Sequence, residues 1–159
     1  MCIRDRAYGA LLDEYERALA DLKTVISSIP EDQLVTIVDH DTNDVDCRSI
    51  QSILAHVVQS GYTYAIAIRK HEGEELDYRE KIQLNSAAEY ILALDRMMDY
   101  NIKMMDDYPD MNIEESDNTR KLITRWGQMY NVDQLLEQAI VHILRHRRQI
   151  ERFLIKLNE

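Results

Sequence analysis

The sequence predicts an all-α protein, a single four-helix bundle. Only four of its 159 residues are Gly and two are Pro, and 45% are hydrophobic, a composition typical of long regular elements. Four long stretches repeat their hydrophobic side chains every three or four positions, as one face of a helix does. A chain of this length usually forms one domain, so we expect residues 7–159 to fold as one. Residues 1–6 follow no periodic pattern, and we expect an unstructured leader or a sequence artefact there.

Helix one is predicted over residues 7–29. Its hydrophobic positions fall three and four apart: Leu11, Leu12, Tyr15, Leu19, Leu22, Val25 and Ile26. Pro30 disfavours helical geometry in the residue before it and therefore ends the helix. The following residues 31–46 are rich in Asp, Asn and Thr, which predicts a connector.

Helix two is predicted over residues 48–71, with Asp46 as its candidate cap. Gly61 lies on the hydrophobic face of this helix. Glycine inside a helix costs about 1 kcal/mol relative to alanine, so we expect a close contact with another helix at this position. The polar residues 72–85 then form a second connector.

Helix three is predicted to begin at a cap formed by Asn85 or Ser86 and to run to Tyr108, where Pro109 stops it. Residues 110–130 show no long periodicity, although Leu122, Ile123 and Trp126 indicate that part of this stretch packs over one end of the bundle.

Helix four is predicted over residues 131–157. Asn131 is its candidate cap, and Asp133 places a negative charge in the first turn, where it favours the helix dipole. Four helices of this length are typical of a bundle.

The charge of the chain argues against nucleic acid and membrane partners. With 19 Lys+Arg against 29 Asp+Glu, the net charge of −10 repels phosphate backbones and anionic lipids. A cluster of basic residues lies on helix four, and we interpret it as a solvated or ion-paired face: Arg145, Arg147, Arg148 and Arg152.

Cysteine usage and hydropathy predict a cytoplasmic protein. Cys2 and Cys47 are too few and too far apart for a disulfide framework, and neither lies in a CxxC motif. The sequence shows neither the apolar region of a signal peptide nor a run long enough to span a membrane. Exposed helix faces leave room for a homodimer.

His142 and His146 are four residues apart, so on a helix they project from the same face one turn apart. This is a spacing that metal sites use. The hydrophobic residues beside them place the pair toward the bundle interior, where two imidazoles find few protein acceptors and a cation would satisfy both. The spacing also occurs by chance, and such a pair can instead bond to each other, to water or to a carboxylate.

His56 on helix two is a third candidate, at the edge of the hydrophobic face, where a half-buried packing role is the alternative. Three imidazoles leave metal coordination positions open for water or substrate. We expect His40 and His71 to be solvated because they lie in or beside polar connectors. Gln138 and Gln149 could orient ligands, but their positions favour plain polar residues at the edge of the stripe.

Two segments of the chain resemble the DinB/YfiT-like superfamily of metalloenzymes. They are SIQSILAHVVQSGYTYA (49–65) and LLEQAIVHILRHRRQIERFL (135–154), with HILRHRRQI the closest part. The resemblance implies a four-helix bundle in which His56, His142 and His146 bind one divalent metal, Zn, Ni, Mn or Fe. It also implies an up-down-down-up order, which needs a crossover between helices two and three. Fourteen extended residues reach about 45 Å, more than the roughly 36 Å of a 24-residue helix.

The resemblance implies a metal-dependent enzyme with a small-molecule substrate. Characterised relatives use the metal to activate a thiol, as in bacillithiol and glutathione S-transferases and mycothiol-dependent maleylpyruvate isomerase. A low-molecular-weight thiol S-transferase is therefore the leading hypothesis. The alternatives are a metal-dependent hydrolase, a non-catalytic metal-binding protein of the stress response, and a bundle that acts through protein contacts without metal. The catalytic residues stay unassigned.

Overall fold

The computed structural model describes residues 7–159, so the expectation for residues 1–6, including Cys2, lies outside the described part of the chain. Four long helices form a bundle, which confirms the predicted fold class. In chain order the elements are α1 (Ala7–Ile26), α2 (Glu31–Val35), α3 (Ile50–His71), α4 (Ala87–Asp107), β1 (Leu122–Ile123), β2 (Met129–Tyr130) and α5 (Val132–Leu157). Within this part of the chain, no helix is both long and apolar enough to cross a membrane.

Polar caps fix where three of the long helices begin. The Ser86 side chain accepts a hydrogen bond from the Glu89 backbone N–H, and Asn131 caps α5 in the same way, as predicted. The prediction that Asp46 caps helix two is wrong. Ser49 caps α3 instead, in a reciprocal capping box with Ser52. Asp46 lies in a 3₁₀ turn that precedes the helix.

The first connector is more ordered than its composition predicts. Helix α1 ends at Ile26, three residues before the predicted limit, and Pro30 occupies the N-cap of the one-turn helix α2. Proline suits the start of a helix because its φ is fixed and its missing N–H needs no partner there. Leu34 is fully buried and ties α2 to the core. A 3₁₀ turn at Val45–Cys47 completes the connector.

The stretch before α5 forms a short hairpin in which β1 pairs antiparallel with β2. Leu122 is buried, as predicted, but Ile123 is 70% exposed because successive strand residues face opposite sides. Trp126, at the tip, contacts the ring of Tyr64 on α3 with centroids 6.0 Å apart. The hairpin therefore packs against one end of the bundle beside α3.

Side-chain contacts give the relative directions of the helices. Tyr8 near the start of α1 donates a hydrogen bond to the Pro109 carbonyl just beyond α4, so α1 and α4 are antiparallel. Tyr90 near the start of α4 donates to the Gln51 carbonyl at the start of α3, and Arg69 pairs with Asp107 at the far ends. Helices α3 and α4 are therefore parallel.

Two parallel neighbours in sequence need a connection that returns along the bundle. Residues 74–84, which we call the crossover strap, make this return along α3: Lys70 Nζ donates to the Leu76 carbonyl, and Gln51 Nε2 donates to the Leu84 carbonyl. Between these points the Arg79 guanidinium lies 3.7 Å from the ring centroid of Tyr62. The cation over the aromatic face holds the middle of the strap.

Gly61 marks the close helix contact that the sequence predicts. A Cβ atom at this position would overlap the side chain of Met97 on α4. The Asn101 amide, fully buried, donates to the Gly61 carbonyl at 3.2 Å across the same contact. The absence of a side chain at Gly61 lets α3 and α4 approach closely.

We expect Gly61→Ala to destabilise the protein by about 1–3 kcal/mol, because the buried Met97 must leave its position. In a Met97→Ala background the space is free, and the better helix propensity of alanine, worth about 1 kcal/mol, should make the same substitution neutral or stabilising. Urea unfolding of the four proteins measures the difference. If Gly61→Ala lowers the free energy of unfolding equally in both backgrounds, the contact with Met97 does not explain why position 61 needs a glycine.

Candidate metal centre

Three histidines from two helices meet inside the bundle. The Nε2 atom of His142 lies 2.9 Å from Nε2 of His56 and 3.2 Å from Nε2 of His146. One donor nitrogen from each ring lies within 4.8 Å of the others. The structure therefore brings together the three candidate ligands that the sequence and the resemblance indicate.

Helix phase and helix direction explain this convergence. His142 and His146 lie one turn apart on the inner face of α5, 9% and 3% exposed, which confirms that the pair faces the bundle. Helix α3 runs antiparallel to α5, with His56 beside both histidines and Tyr64 further along beside His142 alone. His56 is half-buried, as expected for the edge of its face.

Two of the three rings have an acceptor group beside the outer nitrogen, Nδ1. Asp46 Oδ2 lies 3.3 Å from Nδ1 of His56, and Gln149 Oε1 lies 3.0 Å from Nδ1 of His146. An amide oxygen only accepts hydrogen bonds, so Nδ1 of His146 carries the proton, and the negative charge of the Asp46 carboxylate favours the proton on Nδ1 of His56. The Nε2 atoms of neutral His56 and His146 are then unprotonated and directed at the centre.

This donor set fits a cation. The one proton that His142 Nε2 could carry would satisfy only one of its two Nε2 neighbours, whereas a cation would accept all three lone pairs. Donors in a tetrahedral site with bonds of about 2.0–2.1 Å lie about 3.3 Å apart, close to the shorter spacings here. Acceptors on the outer nitrogen are also the usual partners of metal-binding histidines.

Comparison with known protein families gives a match over almost the whole length of the sequence. Residues 4–157, nearly the whole chain, match the DinB family. The chain belongs to the DinB family. A search of curated proteins found no match.

Burial keeps the histidines of this DinB-family chain neutral. Desolvation, together with the neighbouring histidines and Arg145, lowers the pKa of His142 to about 3. Burial also lowers the pKa of His56, against the opposing effect of the Asp46 carboxylate, and the pKa of His146. Neutral imidazole is the form that binds a metal, so the three rings are ready to bind at neutral pH.

An open cavity gives access to the centre from the side of the hairpin. It has a volume of about 450 Å³, and both polar groups and aromatic rings line it: His56, Ser60, Thr63, Tyr64, Arg125, Trp126, Gln138 and His142. A small molecule in this cavity would contact the two histidines on its wall. Gln138 thus lies in the cavity wall, while Gln149 contacts His146 itself, so treating Gln149 as a plain edge residue is wrong.

Asp46 is the residue of the centre that sequence reasoning missed. Its carboxylate contacts both His56 Nδ1 and the Lys81 ammonium of the crossover strap. The contact depends on the 3₁₀ turn that aims Asp46 at α3, and no periodic pattern signals such a turn. His40 and His71 are exposed, as predicted, and the histidine triad is the metal-type cluster found within residues 7–159.

The stability of the metal-free protein should fall as the pH drops below 6.5. The unfolded chain takes up a proton on His142 near 6.5, whereas the pKa of about 3 keeps the folded ring neutral. Folding stability is then lost at about 1.4 kcal/mol per pH unit from this group alone. Urea unfolding with a chelator present, between pH 7 and about 5.5, should give a shallower slope for His142→Gln. The exposed control His71→Gln should keep the wild-type slope; equal slopes for all three would contradict the assignment.

Proposed function

We propose that this DinB-family chain binds one divalent transition metal through Nε2 of His56, His142 and His146 and acts as a low-molecular-weight thiol S-transferase. The observation that carries the proposal is the convergence of three neutral imidazole nitrogens, two of them with their outer nitrogens held by Asp46 and Gln149. Three nitrogen ligands suit Zn, Ni, Mn or Fe and leave coordination positions open.

A divalent cation bound there would stabilise thiolate relative to thiol near neutral pH. The residues of the chain orient the histidine rings and leave a path for the substrate to reach them. Asp46 and Gln149 fix the ring orientations of His56 and His146, and the cavity beside His142 is wide enough for a small substrate. In the overall transfer the sulfur forms a bond to an electrophilic carbon, the leaving group departs with the bonding electrons, and the thiol proton passes to solvent.

The rings in the cavity wall suggest where the electrophile binds. Tyr64 and Trp126 present aromatic surface on the side of the cavity formed by α3 and the hairpin. Such surfaces favour a partly hydrophobic substrate. We place the reaction in the cytoplasm, where thiols are kept reduced; Cys47 of this chain is a free thiol.

A second candidate is a non-catalytic metal-binding protein of the stress response. The observation in its favour is that the triad joins α3 to α5, so a bound ion would tie the two helices together. The open cavity beside the triad favours the enzyme, since a purely structural site is usually closed by a fourth protein ligand.

Metal binding should stabilise the fold, and all three histidines should be needed for it. We expect the purified protein to hold about one ion per chain after dialysis, and His56→Ala, His142→Ala and His146→Ala to lose most of it. Chelation should lower the melting temperature of the wild type but have little effect on His56→Ala, because a ligand that binds only the native state stabilises it by mass action. His71→Ala serves as the control. If the chelator lowers the melting temperature equally in wild type and His56→Ala, His56 is a packing residue and not a metal ligand.

The transferase activity is tested by incubating metal-loaded protein with an alkylating electrophile and a series of low-molecular-weight thiols. We expect a thioether product whose formation needs metal and disappears in His142→Ala. Trp126→Ala should raise KM more than it lowers kcat, because the ring lines the cavity without reaching the triad. Metal binding without product from any thiol would favour the non-catalytic protein, and hydrolysed electrophile in place of thioether would indicate a hydrolase.

A further inference from the structure

Three arginines on α5 have no carboxylate partner among residues 7–159, although this part of the chain is rich in Asp and Glu. Arg145, Arg148 and Arg152 are exposed, and within residues 7–159 none of them forms an ion pair. Their spacing of three and four residues places them on one strip of the helix. We call these three residues the arginine strip.

The neighbouring Arg147, on the same helix, does form ion pairs. Its guanidinium contacts Asp21 of α1 at 3.4 Å and Glu151 of α5 at 3.9 Å. The chain carries 29 acidic residues against 19 basic ones, so carboxylates are plentiful. Like charges three and four residues apart repel one another by a few tenths of a kcal/mol, about 0.2–0.5 per pair. A bound anion would therefore relieve the repulsion among the three arginines.

The arginine strip lines an open groove on α5 beside the candidate metal centre. The groove has a volume of about 340 Å³, and Gln149 is its fourth lining residue. The same Gln149 accepts a hydrogen bond from His146 Nδ1, so one side chain belongs to both sites. Arg145 is close enough for its charge to lower the pKa of all three histidines. At a rise of 1.5 Å per residue, Arg152 lies about 15 Å along the helix from His142.

We infer that the arginine strip binds the carboxylate or phosphate groups of a small anionic molecule whose reactive atom lies at the histidine triad. The inference deepens the proposed function and rests on it for the second half of the statement. Guanidinium groups match carboxylate and phosphate oxygens in pairs. Their spread along the helix suits a molecule with two or more negative groups. Three charges in a groove of this size offer little to a nucleic acid, which the net charge of −10 would repel.

The anion site is tested by titrating tricarballylate, a tricarboxylate, into the zinc-loaded and the metal-free protein by calorimetry. We expect saturable binding in both forms and at least about a tenfold loss of affinity in the triple variant Arg145→Gln, Arg148→Gln, Arg152→Gln. The matched control is Arg17→Gln, Arg120→Gln, Arg147→Gln, which removes the same charge from arginines that are paired with Glu14, Asp117 and Asp21. The control should change affinity by less than about twofold. Equal losses in the two triple variants, or no binding to the wild type, would overturn the site.

Mercaptosuccinate, which joins a thiol to two carboxylates, tests the connection to the triad. We expect its affinity to fall both when zinc is removed and when the arginine strip is substituted, whereas neutral 2-mercaptoethanol should respond to zinc alone. If mercaptosuccinate binds equally with and without zinc, a molecule bound to the arginine strip does not reach the histidine triad. Zinc analysis of the same samples separates this result from a failure of the proposed metal site, and zinc content that falls with the arginine strip would also contradict the inference.

Discussion

The rest of the structure depends on one constraint: three imidazoles, two buried and one half-buried, share too few protons. His56 and His146 each direct an unprotonated Nε2 at His142, which can carry only one proton toward them. Close polar atoms without a proton or cation between them are costly inside a protein. Burial makes protonation of the rings a poor remedy, because it lowers the pKa of each one. A divalent cation would satisfy three lone pairs at once, and this compatibility links the fold to the proposed chemistry.

The bundle holds these rings by two different means. On α5 the two histidines follow the helix repeat, so the capping box at Asn131 and the buried stripe fix their position together. On α3 a single histidine at the edge of the face needs outside help, and Asp46 supplies it from the 3₁₀ turn. The candidate ligand that deviates most from the regular pattern, His56, is thus the one with a charged partner at its outer nitrogen. Burial lowers the pKa of His56, and the Asp46 carboxylate opposes this effect. The same carboxylate makes the free Nε2 of His56 a better electron-pair donor.

The sequence predicted most of the fold because the helices follow local rules. Periodic hydrophobic positions located four helices, and the caps at Ser86 and Asn131 were readable from residue type. The histidine pair was readable for the same reason, since residues four apart share a face. His56 needed the resemblance, because its meeting with α5 depends on how helices pack. Asp46 and Gln149 could not be assigned, since their contacts depend on a turn and on a side-chain rotamer that leave no periodic signal.

The direction of the helices and the centre are connected through the crossover strap. Because α3 and α4 are parallel, the chain must return along the whole of α3 before α4 can begin. The Arg79 side chain, held over Tyr62, fixes the path of this return near the middle of the helix. The strap then reaches the start of α3, where Lys81 pairs with the same carboxylate that contacts His56. A bundle with an antiparallel α3 and α4 would need only a short loop at the opposite end and would leave Asp46 without this cation. The parallel pairing therefore contributes to the candidate metal centre as well as to the packing of the core.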